Sequence, residues 1–244
     1  MNKLLVIPAL LFLCSCIGAP VKVPEEHLGK IRNIGIISLV SENPKIEYVG
    51  FTIFNNNYTT ALLEDWDGNS VVEDAVSNLL SNHGYSLSIL NERASLDRVY
   101  KDEWRGPDKD LIQADLVRIG KQNSLDTLLI VYRYIASDNI GNSAEYLRGY
   151  GLYKRFILKP HVFATFEIDM LDVNSEKIIA TAYGNEKLEL GSDKWIEAYS
   201  EVEEPITISP GDVVYIKTNL KQVIQNSITE AINRMGIIKS AQSE

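Results

Sequence analysis

A chain of 244 residues with 45% hydrophobic and 23% charged side chains has an ordinary globular make-up, long enough for one large domain or two small ones. It can bury roughly 70–75% of its unfolded surface without help from cross-links. Its formal charge of −9 argues against nucleic acid, which needs a basic face, and against broad contact with anionic headgroups.

The N-terminus is the most specific stretch. Lys3 gives a positive start, and an apolar run from Leu4 to Leu13 follows, interrupted by Pro8. A membrane-spanning helix needs about 20 apolar residues, so this run is too short and reads instead as a secretory signal. Its exit, Leu13-Cys14-Ser15-Cys16, resembles the lipobox of bacterial lipoproteins: an aliphatic residue, a variable one, a small one, then cysteine. Cys14 fits less well, because bulky Leu13 would then precede the cut. The residues alone also allow an ordinary signal peptide. The resemblance implies that residues 1–15 are removed and that Cys16 carries diacylglycerol on its sulfur and usually a further acyl chain on its amine. One chain binds a membrane marginally, at about 0.8 kcal/mol per buried methylene, whereas two or three hold it almost permanently. Ile17 stands where enteric bacteria place Asp to retain a lipoprotein at the inner membrane, so in a Gram-negative cell the periplasmic face of the outer membrane is implied. With Cys14 discarded and Cys16 lipidated, no thiol remains for a disulfide, a metal site or a nucleophile.

Residues 16–30 contain two prolines, scattered charges and no periodicity, so a flexible tether is expected, holding the body roughly 30–40 Å from the membrane. His27 reads as a solvated linker residue. A single α/β domain is expected over 31–238. Residues 31–40 (IRNIGIISLV) form a β-branched strand, 41–44 a turn, and 45–54 a second strand closing a hairpin, with a polar turn at 55–59. Ser70-Val71-Val72-Glu73 has the form of a capping box. Val72, Ala75, Val76, Leu79 and Leu80 make the stripe of the helix it opens, His83 falls in the last turn and Gly84 ends it. Residues 85–90 alternate as a strand. A second helix opens near Asp108, with Leu111, Ile112, Leu116 and Ile119 inward, and 126–136 (DTLLIVYRYIA) is the central strand.

Three extended stretches follow, 146–158, 161–172 and 177–188, joined by short turns as an antiparallel meander, with His161 at a strand start as a surface or edge residue. A short helix is expected at 195–199 in an acidic loop. From Asp212 a long helix carries Leu220, Val223, Ile224, Ser227, Ile228, Ala231, Ile232 and Met235 at 3–4 spacing, and Gly236 stops it. The tail, 239–244, is expected to be mobile. The order β-β-α-β-α-β-β-β-β-α implies an α/β fold: one mixed, largely antiparallel sheet with helices mostly on one face and a long C-terminal helix. That order over residues 31–236 resembles the N-terminal domain of the periplasmic Tol protein and the domain of the curli secretion lipoprotein, envelope proteins that assemble with partners. A hairpin-then-helix opening is also similar to that of uncharacterised proteobacterial envelope proteins.

Complete catalytic signatures are missing. His27, His83 and His161 give no zinc spacing, and no G-x-S-x-G elbow, phosphate loop or EF-hand pattern occurs; Gly149-Tyr150-Gly151 lacks a third glycine. Neither a metal nor a cofactor is expected. Two clusters remain. Tyr146, Arg148, Tyr150, Tyr153, Lys154 and Arg155 concentrate the residue types enriched in binding hot spots, and form the expected contact surface for an envelope protein or cell-wall glycan. An edge strand with solvated cations would look the same. Glu64, Asp65 and Asp67 flank Trp66, and could serve a hydrolase of peptidoglycan or polysaccharide, or merely favour the following helix start. The sequence therefore points to a membrane-anchored, non-catalytic binding or assembly protein of the envelope, with the anchored hydrolase as the alternative.

Overall fold

The computed structural model describes residues 19–51, 56–102, 105–138, 146–155, 158–191, 206–208 and 210–238. The expected helix at 195–199 and the tail at 239–244 lie outside these.

Strands β1 (Asn33–Leu39), β2 (Lys45–Val49), β3 (Asn57–Leu62) and β4 (Ser86–Ile89) come from the first half of the chain. The second half gives β5 (Thr127–Arg133), β6 (Ile135–Ser137), β7 (Tyr146–Arg148), β8 (Tyr150–Arg155), β9 (His161–Asp172), β10 (Lys177–Glu189) and β11 (Ile206–Thr207). The helices are α1 (Glu25–Leu28), α2 (Gly68–Leu80), α3 (Gln113–Gln122) and α4 (Pro210–Met235). Nine of the described strands form one mixed sheet. Its longest ladders, β9 with β10 and β9 with β5, are antiparallel.

The pairing registers reveal long rows interrupted in the middle. β9 gives one edge wholly to β10 and divides the other: β5 lies beside its second half, from Phe166 to Asp172, and β8 beside its first, from His161 to Ala164. Tyr134 N bonds Thr165 O at 3.0 Å and Thr165 N bonds Gly149 O, so β8 resumes the row that β5 began. The β6–β7 hairpin is an excursion between them. The next row repeats the pattern, for β1 runs parallel to β5 and β2 runs parallel to β8, with residues 40–44 leaving the row between. The expected β1–β2 hairpin is therefore corrected: β2 hairpins with β3, in the region expected to be a turn. A β-branched run followed by a turn signal predicts two strands well, but not which neighbours each finds.

Both faces of this sheet are covered. On one, Ile34, Ile36, Leu129, Val131, Ile168 and Met170 meet α2 and α4, whose predicted apolar stripe from Leu220 to Met235 is fully buried. On the other, Ile37, Leu128 and Ile130 meet Ile112, Leu116 and Ile119 of the α3 region. Leu111, expected inward, is exposed, since the chain there is a 3₁₀ turn ahead of α3 and not yet helix. Helix α4 approaches β10 so closely that a Cβ on Gly184 would stand 1.9 Å from Ser227 O. Gly236, at φ +73°, ends the helix as expected.

The outer edge of β10 is capped. Arg234 Nη1 donates to Tyr183 O at 2.9 Å, and Glu230 accepts from Asn185 N at 2.8 Å. Val21 adds an antiparallel bridge to Thr181, through bonds of 2.8 and 3.1 Å. Val23 is buried and donates its N–H to Met235 O, and His27 Nδ1 lies 3.0 Å from Asp172 Oδ2. From Val21 onward the segment expected as a flexible tether is thus docked on the body, which blunts an otherwise open edge.

Candidate functional site

The Tyr/Arg cluster does not form one surface. β8 lies inside the sheet, between β2 and β9, so its alternate side chains enter the two cores; Tyr150 and Tyr153 are each 1% exposed. Tyr150 OH accepts from Trp66 Nε1 at 3.0 Å and points at the carbonyls of Ser41 (3.0 Å) and Glu42 (2.8 Å). Tyr153 OH donates to Asp138 Oδ2 at 2.6 Å on the opposite side, and Arg155 pairs with the same carboxylate at 3.4 Å. Arg148, Lys154 and Arg155 are half-buried, and Tyr146 is exposed. Gly151 is required because its Cβ would meet Lys45 O at 2.0 Å across the β2–β8 ladder. Tyrosine and arginine enrichment is shared by contact surfaces and by strands whose phenols find buried partners, and here the second holds for the two central tyrosines.

The acidic cluster is also divided. Asp67 is the N-cap of α2, in place of the expected Ser70: its Oδ1 accepts from Asn69 N at 3.0 Å and its Oδ2 from Ser70 Oγ at 2.6 Å. Glu64 and Asp65 are exposed on the preceding turn, Asp65 with φ +51°. Glu73, expected to close the capping box, instead faces the sheet. It accepts from Ser38 N at 2.9 Å and from Arg93, whose Nε is 3.2 Å from Oε1 and whose Nη2 reaches Oε2. Burial pushes the Glu73 carboxyl above its ordinary range, against the pull of that backbone hydrogen bond and of Arg93.

These same residues frame the break in the β1–β2 row. Val40 N donates to Asn69 Oδ1 at 3.0 Å, Gly68 N donates to Glu42 O at 2.8 Å, and Tyr150 OH holds residues 41 and 42 from below. β4 lies beside β1 and β3 lies beside β2, with β11 outside β3, so the break in the row continues between β4 and β3. A cleft of about 580 Å³ results, lined by Asn43, Lys45, Asn69, Asn91, Arg93 and Asp97 among others. It lies at the carboxyl ends of the parallel strands β4, β1 and β5, beside the N-terminus of α2. α2 packs on one face of the sheet and α3 on the other, so this is the switch-point crevice where open α/β sheets bind ligands. Its lining is polar and carries both signs of charge, which suits hydrogen bonding to a polar partner more than steering of an ion.

A second polar cluster sits on the α3 face of β9. Lys109 Nζ is 2.5 Å from both Glu167 Oε1 and Asp169 Oδ2, and 5.2 Å from the centre of the Tyr132 ring. Thr181 Oγ1 donates to Asp169 Oδ1 at 2.6 Å. Burial raises the Glu167 carboxyl against the nearby ammonium. Burial also works against the Lys109 charge, but the two carboxylates outweigh it and hold its pKa above the usual value. This arrangement neutralises charge and ties the 3₁₀ turn at Lys109–Leu111 to the sheet. The sequence signal for it was the alternation Thr165, Glu167, Asp169 within an otherwise apolar strand. Among the described residues, no three His, Cys, Asp or Glu side chains are placed to hold a metal ion, and no helix is long and apolar enough to cross a membrane.

No protein-family model matches the chain, and no curated protein matches its sequence. Among solved structures it is similar to the PelC dodecamer protein from Paraburkholderia phytofirmans, at 9% identity and a TM-score of 0.40, covering 88% of this chain and 94% of that one. It is also similar to protein XCC0632 from Xanthomonas campestris (10% identity, TM-score 0.43, 85% and 84% covered). A third likeness is to lipoprotein GNA1162 from Neisseria meningitidis (9% identity, TM-score 0.33, 80% and 99% covered). Likeness at this level does not extend to function.

Proposed function

We propose that the chain is a lipid-anchored envelope protein, held at the periplasmic face of the outer membrane, with a non-catalytic binding or assembly role. The observation that carries this reading is Leu13-Cys14-Ser15-Cys16 behind a short apolar run. The partner is an envelope protein or cell-wall glycan, and the cleft at the β1–β2 break is its contact site, in place of the divided Tyr/Arg cluster. Support comes from the cleft's position at a sheet edge and from its polar lining. Further support comes from Asp67, whose two oxygens are occupied in starting α2. Two measurements test this. The intact mass of the mature protein from cells should show Cys16 diacylated or triacylated, and Cys16→Ser should release the protein from the membrane fraction. A photo-crosslinker at Asn91 should capture one discrete species in intact cells, and the same group at Leu111 should not. A bare Cys16 sinks the anchor, and identical capture from both positions sinks the cleft.

A further inference from the structure

The N-terminal segment docks much sooner after Cys16 than its composition suggests, and this sets the body's orientation. Resting on the lipid-anchor reading above, we infer that the protein stands edge-on to the bilayer, with the β10 edge and its N-terminal strap facing the headgroups and the β1–β2 cleft facing away. Val21 is fixed to Thr181 by two backbone hydrogen bonds, and buried Val23 is bonded to Met235 O. Five residue steps separate Cys16 from Val21, and a fully extended chain spans at most about 18 Å over that distance. The β10 edge at Thr181 therefore stays within about that distance of the lipidated residue, whatever the conformation of those steps.

The opposite edge is fixed by the strand order. Four inter-strand spacings separate β10 from β4, through β9, β5 and β1, and at about 4.8 Å each they place β4 roughly 19 Å farther out. The cleft opens on that far edge, between β4 and β3. The near edge suits a lipid surface in two further ways. Its outward backbone groups at Tyr183 and Asn185 are bonded by Arg234 and Glu230, an ion pair at 2.6 Å that brings no net charge to the headgroups. Exposed Val21 adds apolar area beside exposed Lys22. The anchor thus presents the cleft to the periplasmic side rather than burying it against lipid.

The cysteines of the sequence are confined to positions 14 and 16, so a single introduced thiol can be labelled cleanly in the lipidated protein. Lys22→Cys and Ser88→Cys, both at exposed positions, would each carry a fluorophore in full-length lipidated protein reconstituted into phosphatidylethanolamine–phosphatidylglycerol vesicles with a headgroup spin-label quencher. Quenching at position 22 should exceed that at position 88 by about three-fold or more, given the separation across the sheet. Ten Gly/Ser residues inserted after Ala19 should bring the ratio towards one. Equal quenching at the two positions in a chain whose mass shows the lipid overturns the orientation alone, whereas a bare Cys16 overturns both the orientation and the anchor.

Discussion

Val162, Ala164, Phe166, Ile168 and Met170 point from one face of β9 into the core under α4, while Thr165, Glu167 and Asp169 alternate with them on the other face and are buried almost as deeply. The first set is held by area, and the second by named partners, chiefly Lys109 and Thr181. An area-held face tolerates changes that keep volume. A partner-held face does not, because removing one member leaves charge stranded in a low-dielectric site. The difference predicts that Lys109→Met, which keeps most of the volume, destabilises by about 4 kcal/mol in chemical denaturation. Ile168→Val on the other face should cost only about 1 kcal/mol. Equal losses would show that the two faces do not differ in kind.

The apolar face has its own sensitive point, where α4 meets β10 with no side chain between them. A Cβ on Gly184 would stand 1.9 Å from the backbone oxygen of Ser227, so Gly184→Ala forces the helix off the sheet. A loss of about 2 kcal/mol is expected, in the range for an overpacked core, together with faster hydrogen exchange along α4. The polar face should respond instead to pH. Burial raises the folded-state pKa of Glu167 above the ordinary 4.5, so the folded protein binds this proton more tightly than the unfolded chain. The stability that Glu167 contributes relative to Glu167→Gln is then fully present below pH 4.5 and is lost as pH rises through the raised pKa. Denaturation of both proteins from pH 4 to 8 should show the wild type losing stability against the variant as pH rises, because burial makes the folded protein hold this proton more tightly. A difference that grows with pH would mean the ammonium of Lys109 outweighs burial.

Much of the fold was legible because it rests on period and composition. The stripe from Leu220 to Met235, the central strand around residues 127–133, the Gly236 stop and the antiparallel meander all express local patterns, and all are present, whereas α2 ends at Leu80 and Gly84, at φ +78°, closes the 3₁₀ turn that carries His83. Strand partnership was not legible. Whether β2 folds back on β1 or continues its row depends on β8 and Tyr150, about a hundred residues away. The same distance hid the site. The Tyr/Arg cluster looked like a surface because its buried acceptors, the carbonyls of Ser41 and Glu42 and the carboxylate of Asp138, give no sign in the local sequence. Glu73 looked like a cap because its partner Arg93 lies beyond the helix, and Asp67 satisfies the helix start first.

The smallest expected effect asks which part of Tyr132 the polar face uses. Its ring lies under Lys109, 5.2 Å from Nζ, while its hydroxyl is buried with no hydrogen-bond partner among the described residues. Burial drives that phenol's pKa upward, which keeps it neutral beside Asp169. Tyr132→Phe keeps the ring and its hold on the ammonium and removes only the unpaired hydroxyl. Stability should therefore rise, by no more than about 1 kcal/mol, since an unsatisfied buried hydroxyl is a cost and not a contact. Tyr132→Leu, which loses the ring face and leaves a cavity at this buried site, should fall by about 2 kcal/mol or more relative to Tyr132→Phe. A loss of about 2 kcal/mol or more in Tyr132→Phe itself would assign the hydroxyl a bonded partner, and would make the cluster of Lys109, Glu167, Asp169 and Thr181 a network of five side chains instead of four.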